Sequence, residues 1–207
     1  MNTQPDVWYR RLFQAAAPVL ESLDATPYPR VQTGARAIDR FLLARYRRAS
    51  PPDAADQSDW KPPHSSMDLD FWSRLTVGAK PPVDSVSSHG PLAPHRPHDV
   101  IEIWTETELS ALHAAWWFGL EAPHWSRRVF EAARWHVEHT QPDNATGLPW
   151  AIHVMVDLAC TEADSGAELF AQTLLHNCLI DGGHPDRRAA LILHDAASAL
   201  ETKYASR

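Results

Sequence analysis

His153 and Asp157 lie four residues apart inside the apolar run that follows Pro149. On a helix that spacing places both on one face. A helix apolar nearly all round is an interior one, so the run predicts an imidazole and a carboxylate carried into a core. An imidazole oriented by a carboxylate can serve as a general base. His136, on the preceding helix, would complete a catalytic group of His153, Asp157 and His136. A buried charge is costly unless paired or hydrogen-bonded. The same side chains therefore also read as a structural pair, which is the commoner fate of buried polar groups.

Two binding chemistries compete with catalysis. A small-molecule pocket would be walled by Trp116, Trp117, Trp135 and Trp150, with polar contacts from His113, Asn144 and Asn177. Those tryptophans also read as core filling. A metal site would draw on His136 and His139, three apart, and on His153 and Asp157. Zinc or iron accepts such ligands. No HExxH motif occurs, and Glu121 with His124 straddles a turn at Pro123. The expectation is therefore no metal and no cofactor, with zinc or iron as the alternative. A phosphate-cradling Gly-rich loop, a G-x-S-x-G elbow and a P-loop are all absent. Cys178 falls on an apolar helix face and reads as an inert thiol.

The elements that must position these residues are helices. Leu109, Leu112, His113, Trp116 and Leu120 form one stripe, opened by a capping box of Thr105 and Glu108. Val129, Phe130, Ala133, His136 and Val137 form the next, starting at Pro123 and ending near Thr140. A loop over 141–148 leads to the His153 helix, from Pro149 to about Thr161. Asp164 or Ser165 caps a fourth helix, with Leu169, Phe170, Leu174 and Cys178 inward, and Gly182-Gly183 stops it. Pro185 and Asp186 open a fifth, with Ala189, Leu193, Ala196 and Leu200. Short connections between such helices favour an antiparallel bundle or an αα-hairpin array. The cadence resembles the layout of α/α toroid proteins such as terpenoid cyclases. That family's acidic initiation motif and Gln-Trp repeats do not occur here, so no residue role follows from the likeness.

Upstream, residues 4–23 carry Trp8, Leu12, Ala16, Val19 and Leu23 at helical spacing, and TPYPR breaks that helix. A second helix over 34–48 turns Ile38, Phe41 and Leu42 inward and Arg36, Arg40 and Arg47 outward. Residues 1–48 thus read as a basic helical hairpin packed on the body. Residues 49–100 hold nine of the 17 prolines. They read as an irregular arm with a short docked segment near 66–77, around Met67, Leu69, Phe71, Trp72 and Leu75. Residues 101–207 form the five-helix body. The fold class is all-α.

Composition narrows function. The formal net charge of -7 argues against nucleic acid as a partner, and no apolar run is long enough for a membrane span. Two cysteines are no disulfide framework, which suits the cytoplasm. The expected function is a non-enzymatic interaction or scaffold protein with a protein partner. The alternative is an enzyme or small-ligand binder using the His/Asp/Trp group.

Overall fold

A computed structural model describes residues 4–23, 35–47, 66–76, 78–142, 147–180 and 182–205. Those residues are helical, turn or irregular, with no strand among them. The helices are α1 Pro5–Leu23, α2 Ala35–Tyr46, α3 Met67–Thr76, α4 Ile101–Gly119, α5 Pro123–His139, α6 Ile152–Glu162, α7 Ser165–Asn177 and α8 Arg187–Tyr204. The protein is an all-α bundle. Among the described residues no helix is long and apolar enough to cross a membrane.

The expected starts hold where a side chain or a proline sets them. Pro123 occupies the first turn of α5, where a missing N–H loses nothing. Asp164 accepts from the Gly166 and Ala167 amides at 2.8 and 3.1 Å to cap α7. Asp186 accepts from the Ala189 amide at 2.7 Å to cap α8.

Two starts differ from expectation. Helix α4 begins at Ile101, without a side-chain cap. Thr105 and Glu108 therefore lie inside the helix, both buried, and form no capping box. Helix α6 begins at Ile152, because Ala151 takes the left-handed conformation, with φ 56°. Pro149 and Trp150 belong to the turn before it.

Helix α6 is the hub. It contacts α1, α4, α5, α7 and α8, and every side chain from Ile152 to Ala159 is buried. Around it, α1 and α2 pack on α8, and α3 packs on α4. Trp8, Leu12, Ala16 and Leu20 form the buried stripe of α1, with Val19 half-buried. The side chains of Leu23, Arg36 and Arg40 lie outside the described residues, as does the TPYPR break. In α3, Leu69, Phe71 and Trp72 are buried as expected. Leu120 and Leu169 depart from their expected inward stripes, at 40% and 64% exposed. Leu120 follows the last residue of α4.

The arm residues 78–100 are irregular, with one 3-10 turn over Val83–Ser85. A clamp holds them. Glu108 accepts from the amides of Leu92 and Ala93. Arg128 donates to the carbonyls of Ser87, Gly90 and Pro91 at 2.7–2.9 Å, and Trp104 Nε1 donates to the Ala93 carbonyl at 2.9 Å. Proline-rich backbone cannot satisfy itself in a ladder; here the helices satisfy it.

Candidate functional site

The adjacent tryptophans of α4 organise the interior. Trp116 Nε1 donates to Asp157 Oδ2 at 2.7 Å, and Trp117 Nε1 donates to Asp195 Oδ2 at 2.9 Å. Each carboxylate also has its own cation. Lys203 Nζ reaches both oxygens of Asp157, at 2.8 and 2.6 Å, and Arg45 Nε donates to Asp195 Oδ1. Each cation lies near the matching indole ring, at 5.8 Å for Lys203 over Trp116 and 4.0 Å for Arg45 over Trp117. Tyr204 adds a hydroxyl bond to Asp157 at 2.6 Å, and Thr161 a longer one at 3.3 Å. Asp157 is fully buried and Asp195 is 3% exposed. Each is thus a charge dissolved in donors that the fold supplies.

Burial would raise the Asp195 carboxyl, but the Arg45 charge and the hydrogen bonds from His113 and Arg45 overturn that and hold it below the usual carboxylate range. Burial pulls the His113 imidazole down from its ordinary value, against the pull of Asp195. A neutral His113 offers Asp195 a hydrogen bond rather than a charge, so Arg45 is the counter-ion. His113 Nε2 stands 3.2 Å from Asp195 Oδ2, while the Ala151 amide donates to His113 Nδ1 at 3.2 Å. Together these fix the tautomer with the proton on Nε2. Both ring nitrogens are thereby occupied.

His153 does not pair with Asp157. Its ring lies 4.2 Å from that of His113 and 5.0 Å from that of Trp116, centroid to centroid. Neither nitrogen has a hydrogen-bond partner. Burial first, and then His113, drives its pKa well below the ordinary value. The His113 main chain favours a protonated ring without forming a hydrogen bond of good geometry. The expectation that His153 donates to Asp157 fails because Trp116 stands between their roles, packing on one and donating to the other.

The remaining expected residues scatter. His136 is fully buried, with Nε2 3.6 Å from Glu108, the residue that holds the arm. His139 stacks on Trp135 at 4.8 Å, exposed at the surface. Asn177 donates to the Pro142 carbonyl at 2.9 Å. Asn144 lies outside the described residues. His136, His139, His153 and Asp157 thus do not converge, and no group of three or more His, Cys, Asp or Glu side chains among the described residues could hold a metal ion. Burial pushes the Cys160 and Cys178 thiols up to about 11 and about 12, so neither is a ready nucleophile.

The polar cavity stands elsewhere. A cleft of about 280 Å³ opens between α2, α3, α4 and α8, with Trp150 in its lining. Asp68 and Ser110, at 7% and 1% exposed, face it together with Ile38, Leu69 and Ile103. Burial raises the Asp68 carboxyl, against hydrogen bonds from Ser66, Leu69 and Ser110. Trp72 Nε1 donates to Ser110 Oγ at 3.1 Å. The Trp150 indole N–H, though buried, has no hydrogen-bond partner among the described residues. A second cleft of about 490 Å³ shares Glu106 and Arg188 with the first and includes Asn177. A third, of about 410 Å³, is walled by Arg45 and Asp195, which already satisfy each other.

Of the expected pocket residues, Trp150 and Asn177 line these openings, while His113, Trp116, Trp117 and Trp135 do not. Sequence reasoning missed Asp68 and Ser110. The one available signal was the pair of acids set inside the apolar pattern of MDLDFW. Compared with protein-family models, curated proteins and solved structures, the chain matches none.

Proposed function

We propose that this protein is a non-catalytic recognition module, and that the cleft between α2, α3, α4 and α8 is its binding surface. The observation that carries this reading is the sealing of the groups that could do chemistry. His113, His136, His153 and Asp157 are all fully buried. A general base must reach a substrate proton directly or through one water. His113 has both nitrogens engaged by the fold, and Asp157 is saturated by donors. Their roles are those of struts.

The cleft has the opposite character. It is open, partly apolar, and bordered by a few polar groups, Asp68 and Ser110 among them, as binding sites are. Occupants in keeping with it are a small molecule or a side chain of a protein partner. A cytoplasmic setting belongs to the same reading, since both cysteines are unpaired.

Two measurements test it. Histidine ring NMR should show His113 and His153 failing to titrate near neutrality; normal titration of either would mean solvent reaches them and would reopen catalysis. Ligand-observed NMR against a fragment mixture should give hits that vanish when Thr107, a cleft residue, is replaced by Trp. Hits that all survive that block would place binding elsewhere.

A further inference from the structure

Four acidic side chains of the described residues are buried: Asp68, Glu108, Asp157 and Asp195. Three are compensated by the fold. Asp157 has Lys203, and Asp195 has Arg45. Glu108 has two backbone amides and stands within Coulombic reach of Arg128. Asp68 has hydrogen bonds and no ion pair among the described residues. It is also the one of the four that lines the cleft of about 280 Å³.

The cleft's own charges do not supply what is missing. Its one basic residue among those described is Arg188, and Asp39 holds that guanidinium through two bonds, at 2.7 and 3.0 Å. Glu106 adds a further acid to the rim. Ile38, Leu69 and Ile103 also line it, the last 66% exposed. Trp150 lines the same space at 2% exposed. A buried carboxylate without a counter-charge is unfavourable, and an incoming cation relieves that cost as it binds. No group of three or more His, Cys, Asp or Glu side chains among the described residues could hold a metal ion, and a single carboxylate beside apolar side chains suits an organic ion.

Building on the reading of this cleft as the binding surface, we propose that its ligand is a small organic ammonium with an apolar body, whose charged nitrogen pairs with Asp68 while its hydrocarbon packs on Ile38, Leu69 and Ile103. A free amine and the lysine side chain of a protein partner present this same chemistry.

The test uses the full chain and three probes of one shape: benzylammonium, benzyl alcohol and benzoate. Binding is read from the Leu69 amide and Trp150 indole NMR signals. Benzylammonium should shift both saturably and bind about tenfold or more tightly than the alcohol, with benzoate weakest. Asp68→Asn should remove that preference while the alcohol's affinity is kept. Nα-acetyl-lysine methylamide, with its ε-ammonium free, binding more tightly than benzylammonium would support the same chemistry and assign it to a partner's lysine.

Alcohol or benzoate binding as well as the amine would overturn the ammonium and leave the cleft standing as a binding site. So would an amine preference that survives Asp68→Asn. Silence of both signals toward every probe at millimolar concentration would overturn the cleft as well. Should Asp68→Asn fail to fold, the charge series on the unaltered protein decides alone.

Discussion

At the scale of the residue, the interior is a set of charges assigned to donors. Asp157→Ala strands the Trp116 indole, the Tyr204 hydroxyl and the Lys203 ammonium, whose side chain is only 20% exposed. We expect a loss of about 3–5 kcal/mol in urea denaturation. Adding Lys203→Met should recover part of it, because removing both charges is milder than removing one. A single variant within about 1 kcal/mol of the parent would contradict the pairing.

The imidazoles set a pH dependence. His153 is neutral in the fold but takes a proton near its ordinary 6.5 when unfolded. Below that pH the unfolded state binds more protons, so stability falls with acidification. Asp195 acts later: its depressed folded pKa contributes stability that is complete above the ordinary 3.8 and is lost as pH falls through the lower folded value. The urea midpoint should therefore be level above neutrality and drop toward pH ~5, and His153→Leu should reduce that drop. An equal drop in the variant would remove His153 as its source.

At the scale of the element, helix α6 is bracketed by two alanines in left-handed conformation, Ala151 at φ 56° and Ala163 at φ 55°. A Cβ there costs about 1–2 kcal/mol. Ala163 is exposed at the C-terminal end, so Ala163→Gly should stabilise by roughly 0.5–1 kcal/mol after the loss of unfolded-chain entropy is counted. A fall in melting temperature would show that the conformation is not maintained. The arm clamp makes its own prediction. Glu108→Ala leaves the Leu92 and Ala93 amides without acceptors, and hydrogen exchange at those two amides should accelerate. An unchanged rate would mean that Arg128 and Trp104 hold the arm alone.

Elements also show what was legible in the chain. The period of apolar residues revealed the helices of the body and the enclosed character of α6, because burial acts on every third and fourth residue. The caps Asp164 and Asp186 were legible because they act within one turn. Glu108 misled because its partners, Leu92 and Ala93, are distant in sequence; a local motif was at hand and the tertiary contact prevailed. The pairing of Asp195 with Arg45 spans 150 positions, and nothing in the local pattern announces it. The Asp68 cleft stayed hidden for the same reason: four helices build it.

At the scale of the whole molecule, α1 and α2 share the core with the body. Leu12 is fully buried in the same cluster as the residues of α6, and Arg45 and Arg188 tie α2 to α8 by ion pairs. We propose that the N-terminal hairpin and the body unfold together. Leu12→Ala should cost about 2–5 kcal/mol and displace a single transition, seen alike by tryptophan fluorescence and by far-ultraviolet circular dichroism. Two separated transitions would divide the molecule.

The tether between Asp157 and the last turn of α8 also sets an order of events during synthesis. Helix α6 is synthesised before Lys203 and Tyr204 have been joined to the chain. Until they arrive, Asp157 keeps its hydration, and an apolar helix that ought to be enclosed holds one face toward water. Closure of the interior therefore waits on translation of the final turn, and a nascent chain halted short of it presents α6 to chaperones.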